Sequence, residues 1–329
     1  MGPRPGGALA ILIFGSAILA TRSEESYMMV LGASYRTEVV SLDPENPLPW
    51  CLRNLKDLYF EMYGGAGAAL SDGTPLACGT EGRDFGPAGF CYKYRAEDDL
   101  WYPTGRMIND RYWSGFAYND AMGLVMAGGV YADENVESTL DGSAFQPLTP
   151  YPYPVQYHCL VSLDDNTLMS IGGSIDGYGD TTTDKAYIYK TSTNNWTEVA
   201  SMKIGRGSHS CGVIDGIDGK EVVVVSGYND TIGYTDSVEI YSVSDNTWRD
   251  GTPFPRSIDG AASVQFNGTF MVVGGYIYSE DLYDDSIYEY EPASETWRHL
   301  PVTLKGGNRY HTAFMVPKSI FPACGPQAP

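Results

Sequence analysis

The chain carries four imidazoles, at His158, His209, His299 and His311. None sits in an HExxH string, and no CxxC, GxSxG or phosphate-loop string occurs. Gly64-Gly65-Ala66-Gly67 is glycine-rich, but no helical pattern follows it, so it reads as small residues on a crowded strand rather than a nucleotide cradle. No catalytic constellation stands out. Four arginines are more suggestive. Arg111, Arg206, Arg256 and Arg309 each precede a recurrent small-residue segment, with Tyr157, His209 and His311 a few residues further along equivalent segments. Guanidinium forks match carboxylate, sulfate or phosphate groups. Gathered on one rim, these residues would form a binding site for an acidic ligand. The alternative use of each arginine is structural, bonding main-chain carbonyls. Acidic stretches from Asp176 to Asp184 and from Asp281 to Asp285 offer oxygen ligands for calcium without EF-hand spacing, and a solvated loop explains them equally well.

What gathers these residues is an internal repeat. An apolar run ending in a glycine doublet recurs at Gly128-Gly129, Gly172-Gly173 and Gly274-Gly275, with degenerate copies at Leu31-Gly32, Cys78-Gly79 and Ser226-Gly227. Successive second positions are 47, 50, 44, 54 and 48 residues apart. Tyr94, Tyr189, Tyr241 and Tyr290 each precede a tryptophan by seven residues, at Trp101, Trp196, Trp248 and Trp297. In the first repeat Trp50 is displaced by about three residues, and in the third Phe145 takes the tryptophan place. A small-residue strand and a polar turn precede each apolar run. Each repeat therefore predicts four strands, and the apolar runs, such as Val222 to Val225, imply burial on both faces.

Doublet, tyrosine and tryptophan at these offsets resemble the kelch repeat over residues 24–322. The resemblance implies an all-β fold: a six-bladed β-propeller of four-stranded blades. Met28 to Gly32 reads as a second strand lacking its first, and Asn308 to Val316 as a first strand with nothing after it. Together they complete one blade, so the C-terminal strand closes the ring. In kelch propellers this strand lines the central channel, and loops at one face contact partners. The function this implies is a binding module for an acidic peptide, a glycan or an extracellular-matrix component. Two other classes remain open. Some kelch propellers resemble copper-radical oxidases, for which Tyr157, His158, His209, Tyr310 and His311 supply ligand types. An acidic structural matrix protein is the third reading.

Bulk features narrow the setting. The net charge of −20 repels nucleic acid and anionic membrane surfaces. Ala8 to Ala20 is an uncharged run behind Arg4, short for a membrane span and suited to a signal peptide over residues 1–20. A secreted, monomeric protein is expected, with residues 323–329 as a short tail. Six cysteines then suggest disulfides. Cys78 and Cys91 sit at facing ends of a hairpin. Cys51 and Cys324 would lock the closed ring. Cys159 and Cys211 hold matching places on neighbouring inner strands, to bridge or to stay as small hydrophobes. Sequons at Asn195, Asn229 and Asn267 fall in turns or loops, Asn195 being the least favoured because Trp196 must pack.

Overall fold

A computed structural model describes residues 26–32, 36–52, 55, 56, 58, 62–79, 89–176, 180–216 and 219–321. The signal-peptide segment and Cys324 lie outside the described residues. The fold is a six-bladed β-propeller. The strands that begin blades one to six are Thr312–Pro317, Ala66–Ala69, Gly115–Asn119, Cys159–Asp164, Ser210–Gly216 and Ala262–Phe266. Each lies at one edge of its sheet and touches its counterparts in both neighbouring blades, so the six surround a channel. All strand pairs are antiparallel, with consecutive strands adjacent. The closing blade pairs Ser26–Leu31 with Thr312–Pro317, from Ser26 opposite Pro317 to Leu31 opposite Thr312.

Five blades have four strands. The closing blade shows three among the described residues, ending at Thr37–Val40. Where its outer strand is expected, the described residues hold a short 3-10 turn at Trp50–Leu52. Pro44, Pro47 and Pro49 precede that turn, and prolines remove the N–H donors that an outer strand needs.

Apolar second strands form the inter-blade core. Leu124 to Ala127, Val222 to Val225 and Phe270 to Val273 are wholly buried. The repeat aromatics use their polar ends as well. Trp101, Trp196, Trp248 and Trp297 each donate Nε1–H to the preceding blade, to Thr37 Oγ1 or to the carbonyls of Thr149, Ala200 and Thr252, at 2.7–3.2 Å. Tyr94, Tyr189 and Tyr241 donate to the turn residues Asp99, Asn194 and Asn246 at 2.8–2.9 Å. Tyr290 faces Glu295 at the same offset, and its buried hydroxyl finds no partner.

The second doublet residue staples blades through its backbone. Gly129, Gly173, Gly227 and Gly275 donate N–H to carbonyls of the next blade, at Val155, Arg206, Ile258 and Asn308, at 2.8–2.9 Å. The first doublet glycine is needed for a different reason. A Cβ on Gly172, whose φ is +60°, would lie 2.6 Å from the Arg206 carbonyl and 2.9 Å from His209 Cε1.

Two disulfides lie wholly within the described residues. Cys78–Cys91 joins paired positions of neighbouring strands with Cα atoms 4.1 Å apart, and Cys159–Cys211 joins the inner strands of adjacent blades with Cα atoms 6.2 Å apart. Cys51 is also disulfide-bonded. Among the described residues no helix is long and apolar enough to cross a membrane.

Candidate functional site

Two residues ahead of the inner strands, one residue per blade forms a collar at the channel mouth: Gly64, Trp113, Tyr157, Ser208, Gly260 and Tyr310. All six have positive φ, between 53° and 72°. Each donates its backbone N–H to the collar residue of the preceding blade, at 2.7–2.9 Å, and the bonds run round into a closed cycle. The positive φ turns amide and carbonyl along the ring direction, a conformation that Gly adopts freely and that costs a bulky residue about 1–2 kcal/mol. Three collar side chains are large aromatics and fill the opening. Trp113 and Tyr157 stack at 4.4 Å, and Tyr310 lies 5.7–5.8 Å from both. The Tyr310 and Ser208 hydroxyls are 3.1 Å apart.

Beneath the collar is a cavity of about 410 Å³. Glycines and alanines, Phe116, Phe314 and the Cys159–Cys211 bridge line it, together with His158, His209 and His311. The three histidines hold one repeat position, immediately after the collar residue. Burial pushes His158 and His209 down to about 3 and His311 to about 4, and Arg111 and Arg206 add repulsion at the first two. His209 faces the Arg206 and Ile171 carbonyls and His311 that of Val273, yet none of the three rings makes an aligned hydrogen bond. The imidazoles are therefore neutral at ordinary pH.

The four arginines do not form one rim. Arg111 and Arg206 are 1% and 0% exposed. Arg206 donates to the carbonyls of Ser226 and Ser237 and pairs with Glu239 at 2.8 Å. Arg111 bonds the Met126, Gly128 and Asn135 carbonyls and pairs with Glu137. Both tie strands within their own blade, so the acidic-ligand rim expected at these two positions is not formed. Arg309 is different because it stands one residue, not two, ahead of its collar residue. A one-residue offset in extended chain turns the side chain to the other face. Its guanidinium is three-quarters buried, lies over the rings of Tyr310 and Tyr276 at 4.6 and 5.0 Å, and pairs with Asp259. Arg256 is the most exposed of the four and lies 3.7 Å from Asp284.

The loops that join second to third strands surround this mouth, and their tyrosines are the part the sequence reading passed over. Tyr228, Tyr234, Tyr278 and Tyr276 follow one another in ring contact at 4.6–6.3 Å. Arg309 and Tyr310 continue the surface to Trp113 and Tyr112. Val130-Tyr131, Tyr228 and Tyr276 all come just after a doublet, which is the signal that would have located them.

Among the described residues no three His, Cys, Asp or Glu side chains converge to hold a metal ion. The sequons differ from one another. Asn195 is exposed, with Trp196 packed inward. Asn229 is 9% exposed, and its Nδ2 donates to the Gly205 carbonyl at 2.6 Å. In the folded protein the Asn229 amide is thus turned inward, whereas that of Asn195 is exposed. Asn267 occupies a turn and is half-buried.

Comparison with known proteins agrees with this architecture. Kelch-like protein 40 of Xenopus laevis is 31% identical over 132 residues, covering 40% of this chain and 20% of that protein. Human Kelch-like protein 23 is 24% identical over 224 residues, covering 64% of this chain and 37% of the relative. The chain thus spans between 13% and 37% of the length of these and other curated relatives that it matches. The solved structure of YjhT aligns with a TM-score of 0.50 at 15% identity, over 60% of this chain and 67% of that one. The family profile for the Attractin/LZTR1 β-propeller matches residues 126–326. With matching blades, doublets and profile, the chain belongs to this family of kelch-type β-propellers.

Proposed function

We propose that this protein is a secreted interaction module, and that its recognition surface is the propeller face around the collar. The observation that carries this reading is the continuous aromatic surface across that face. Tyr131, Tyr278 and Tyr283 are 70%, 61% and 55% exposed there. Tyrosines give large contact area for little loss of conformational freedom and recur as anchors of protein interfaces. Strained backbone at the collar supports the same location, since such strain concentrates at functional sites. Disulfides support an oxidising, extracellular setting. With Arg111 and Arg206 committed internally, recognition falls to the tyrosines and to the Arg309–Asp259 pair.

The test has two parts. Expression in eukaryotic cells should release a protein into the medium whose first residue lies just after Ala20. Exposure of that protein to conditioned extracellular medium should retain the same partner for the wild type and for Tyr102→Ser on the opposite face. The triple variant Tyr131→Ser, Tyr278→Ser, Tyr283→Ser should lose it. Retention by the triple variant would move the interaction surface elsewhere.

A further inference from the structure

Two small ribbons stand up from neighbouring blades on the tyrosine-rich face. One pairs Tyr228–Asn229 with Gly233–Tyr234, and the other pairs Tyr276–Ile277 with Leu282–Tyr283. Tyr234 of the first stacks on Tyr278 of the second at 4.6 Å and 19°, so the two form one platform. Ile232 and Leu282, at the ribbon tips, are 59% and 44% exposed. Apolar side chains at exposed tips have no role in the ribbons' own packing, and contiguous exposed apolar surface marks interaction sites.

The two ribbon segments themselves carry charge of one sign. Residues 228–237 and 276–285 contain six acidic side chains and no lysine or arginine. Asp230, Asp236, Glu280, Asp281 and Asp285 are exposed. Of the cations around them, Arg256 and Arg309 face Asp284 and Asp259, while Lys305 and Arg36 border the second ribbon along the segment that follows Leu304. Arg309 also demonstrates what these groups do with a cation. It rests on two tyrosine rings beside a carboxylate, and Asp259 retains a second buried carboxylate oxygen without a partner. A tyrosine π-face attracts a cation, and neighbouring carboxylates add to the attraction.

We infer that the two ribbons dock a lysine- or arginine-rich protein segment, with its cations on the Tyr234, Tyr278 and Tyr283 rings and its aliphatic stems against Ile232 and Leu282. This rests on the assignment of recognition to the collar face and adds the chemistry of the partner. An acidic peptide or anionic glycan would instead meet the exposed carboxylates of both ribbons. The bulk charge of −20 speeds the approach of such a basic segment.

The experiment titrates the full-length secreted protein with three synthetic peptides of one length: lysine- and arginine-rich, glutamate-rich, and neutral serine- and glycine-rich. Binding of the basic peptide is expected to weaken roughly tenfold or more when Tyr278→Ser and Tyr283→Ser are combined. Asp281→Asn with Asp285→Asn should give a comparable loss and a shallower salt dependence. Asp165→Asn with Asp245→Asn, an equal change of charge on the opposite face, should leave affinity within about twofold. Equal weakening by that control would reduce the effect to bulk charge and overturn the site. No binding of the basic peptide to folded wild type would overturn it too. Tyrosine-dependent binding of the acidic or neutral peptide would overturn the basic class and leave the recognition face standing. Binding that ignores the ribbons altogether would remove both.

Discussion

The backbone N–H of Gly64 donates to the carbonyl of Tyr310 at 2.7 Å. This one bond joins the second blade to the C-terminal strand and completes the six-membered cycle at the channel mouth. Gly64 has φ of +72°, and a Cβ there would sit 2.7 Å from Trp113 Nε1. Gly64→Ala therefore combines left-handed backbone strain with a clash against the aromatic plug. It should lower stability by about 1–2 kcal/mol or more, read by urea unfolding. An unchanged midpoint would show that the collar is not under tension.

The buried arginines set a larger effect. Arg206→Met leaves Glu239 without its cation in a dry interior, and should cost about 3–5 kcal/mol. Adding Glu239→Leu should restore only part of this, because the Lys203 and Ile204 amides then lose their acceptor. Denaturant unfolding of both variants measures the difference. The arginine single variant alone should leave ribbon-dependent binding intact wherever the protein is folded.

A stabilising change is expected at Glu295, which sits at φ of +51° where three other blades place Asp or Asn. Glu295→Asn should give the Tyr290 hydroxyl the acceptor its counterparts have. It also gives up an exposed ion pair with Arg249, worth about 0–1 kcal/mol. The net gain should be about 0.5–1 kcal/mol, seen as a raised midpoint in thermal unfolding. A lowered midpoint would mean that the ion pair outweighs the hydroxyl.

Acid should weaken the fold through the channel histidines. Their pKa values are pushed down to about 3, 3 and 4 in the folded protein, against about 6.5 in the unfolded chain. The unfolded state therefore binds more protons below about pH 6.5, and stability falls as pH drops from there toward 4. Each histidine contributes up to about 1.4 kcal/mol per pH unit within that window. His209→Gln should flatten the slope of unfolding free energy between pH 6 and 4 without changing it above pH 7. A slope identical to wild type would place the proton uptake elsewhere.

Glycan occupancy should follow amide accessibility. Mass spectrometry of the protein secreted by eukaryotic cells is expected to find sugar at Asn195 and none at Asn229, whose Nδ2 is held by the Gly205 carbonyl. Full occupancy at Asn229 would require that its loop be modified before it folds.

The propeller was legible in the sequence because its marks are local. A doublet needs positive φ and close backbone approach, and a tyrosine with a turn residue a fixed step away needs only one hairpin. These constraints recur at a period near fifty residues and declare blade number, strand order and C-terminal closure. The pairing of Cys78 with Cys91 was legible for the same reason, since one hairpin brings the two together. Blade one departed from the pattern where prolines interrupted it, which the sequence also displays.

What each side chain faces was decided only by tertiary structure. Arg206 and Arg309 look alike in the chain, yet a single-residue offset buries one on Glu239 and sends the other to the mouth. Of the two uses open to Cys159 and Cys211 the structure takes the bridge, and the closed hydrogen-bond cycle and the Tyr234–Tyr278 stack likewise join residues from different repeats. No spacing within one repeat encodes them. They exist because ring closure sets neighbouring blades at a distance and twist that belong to the whole propeller.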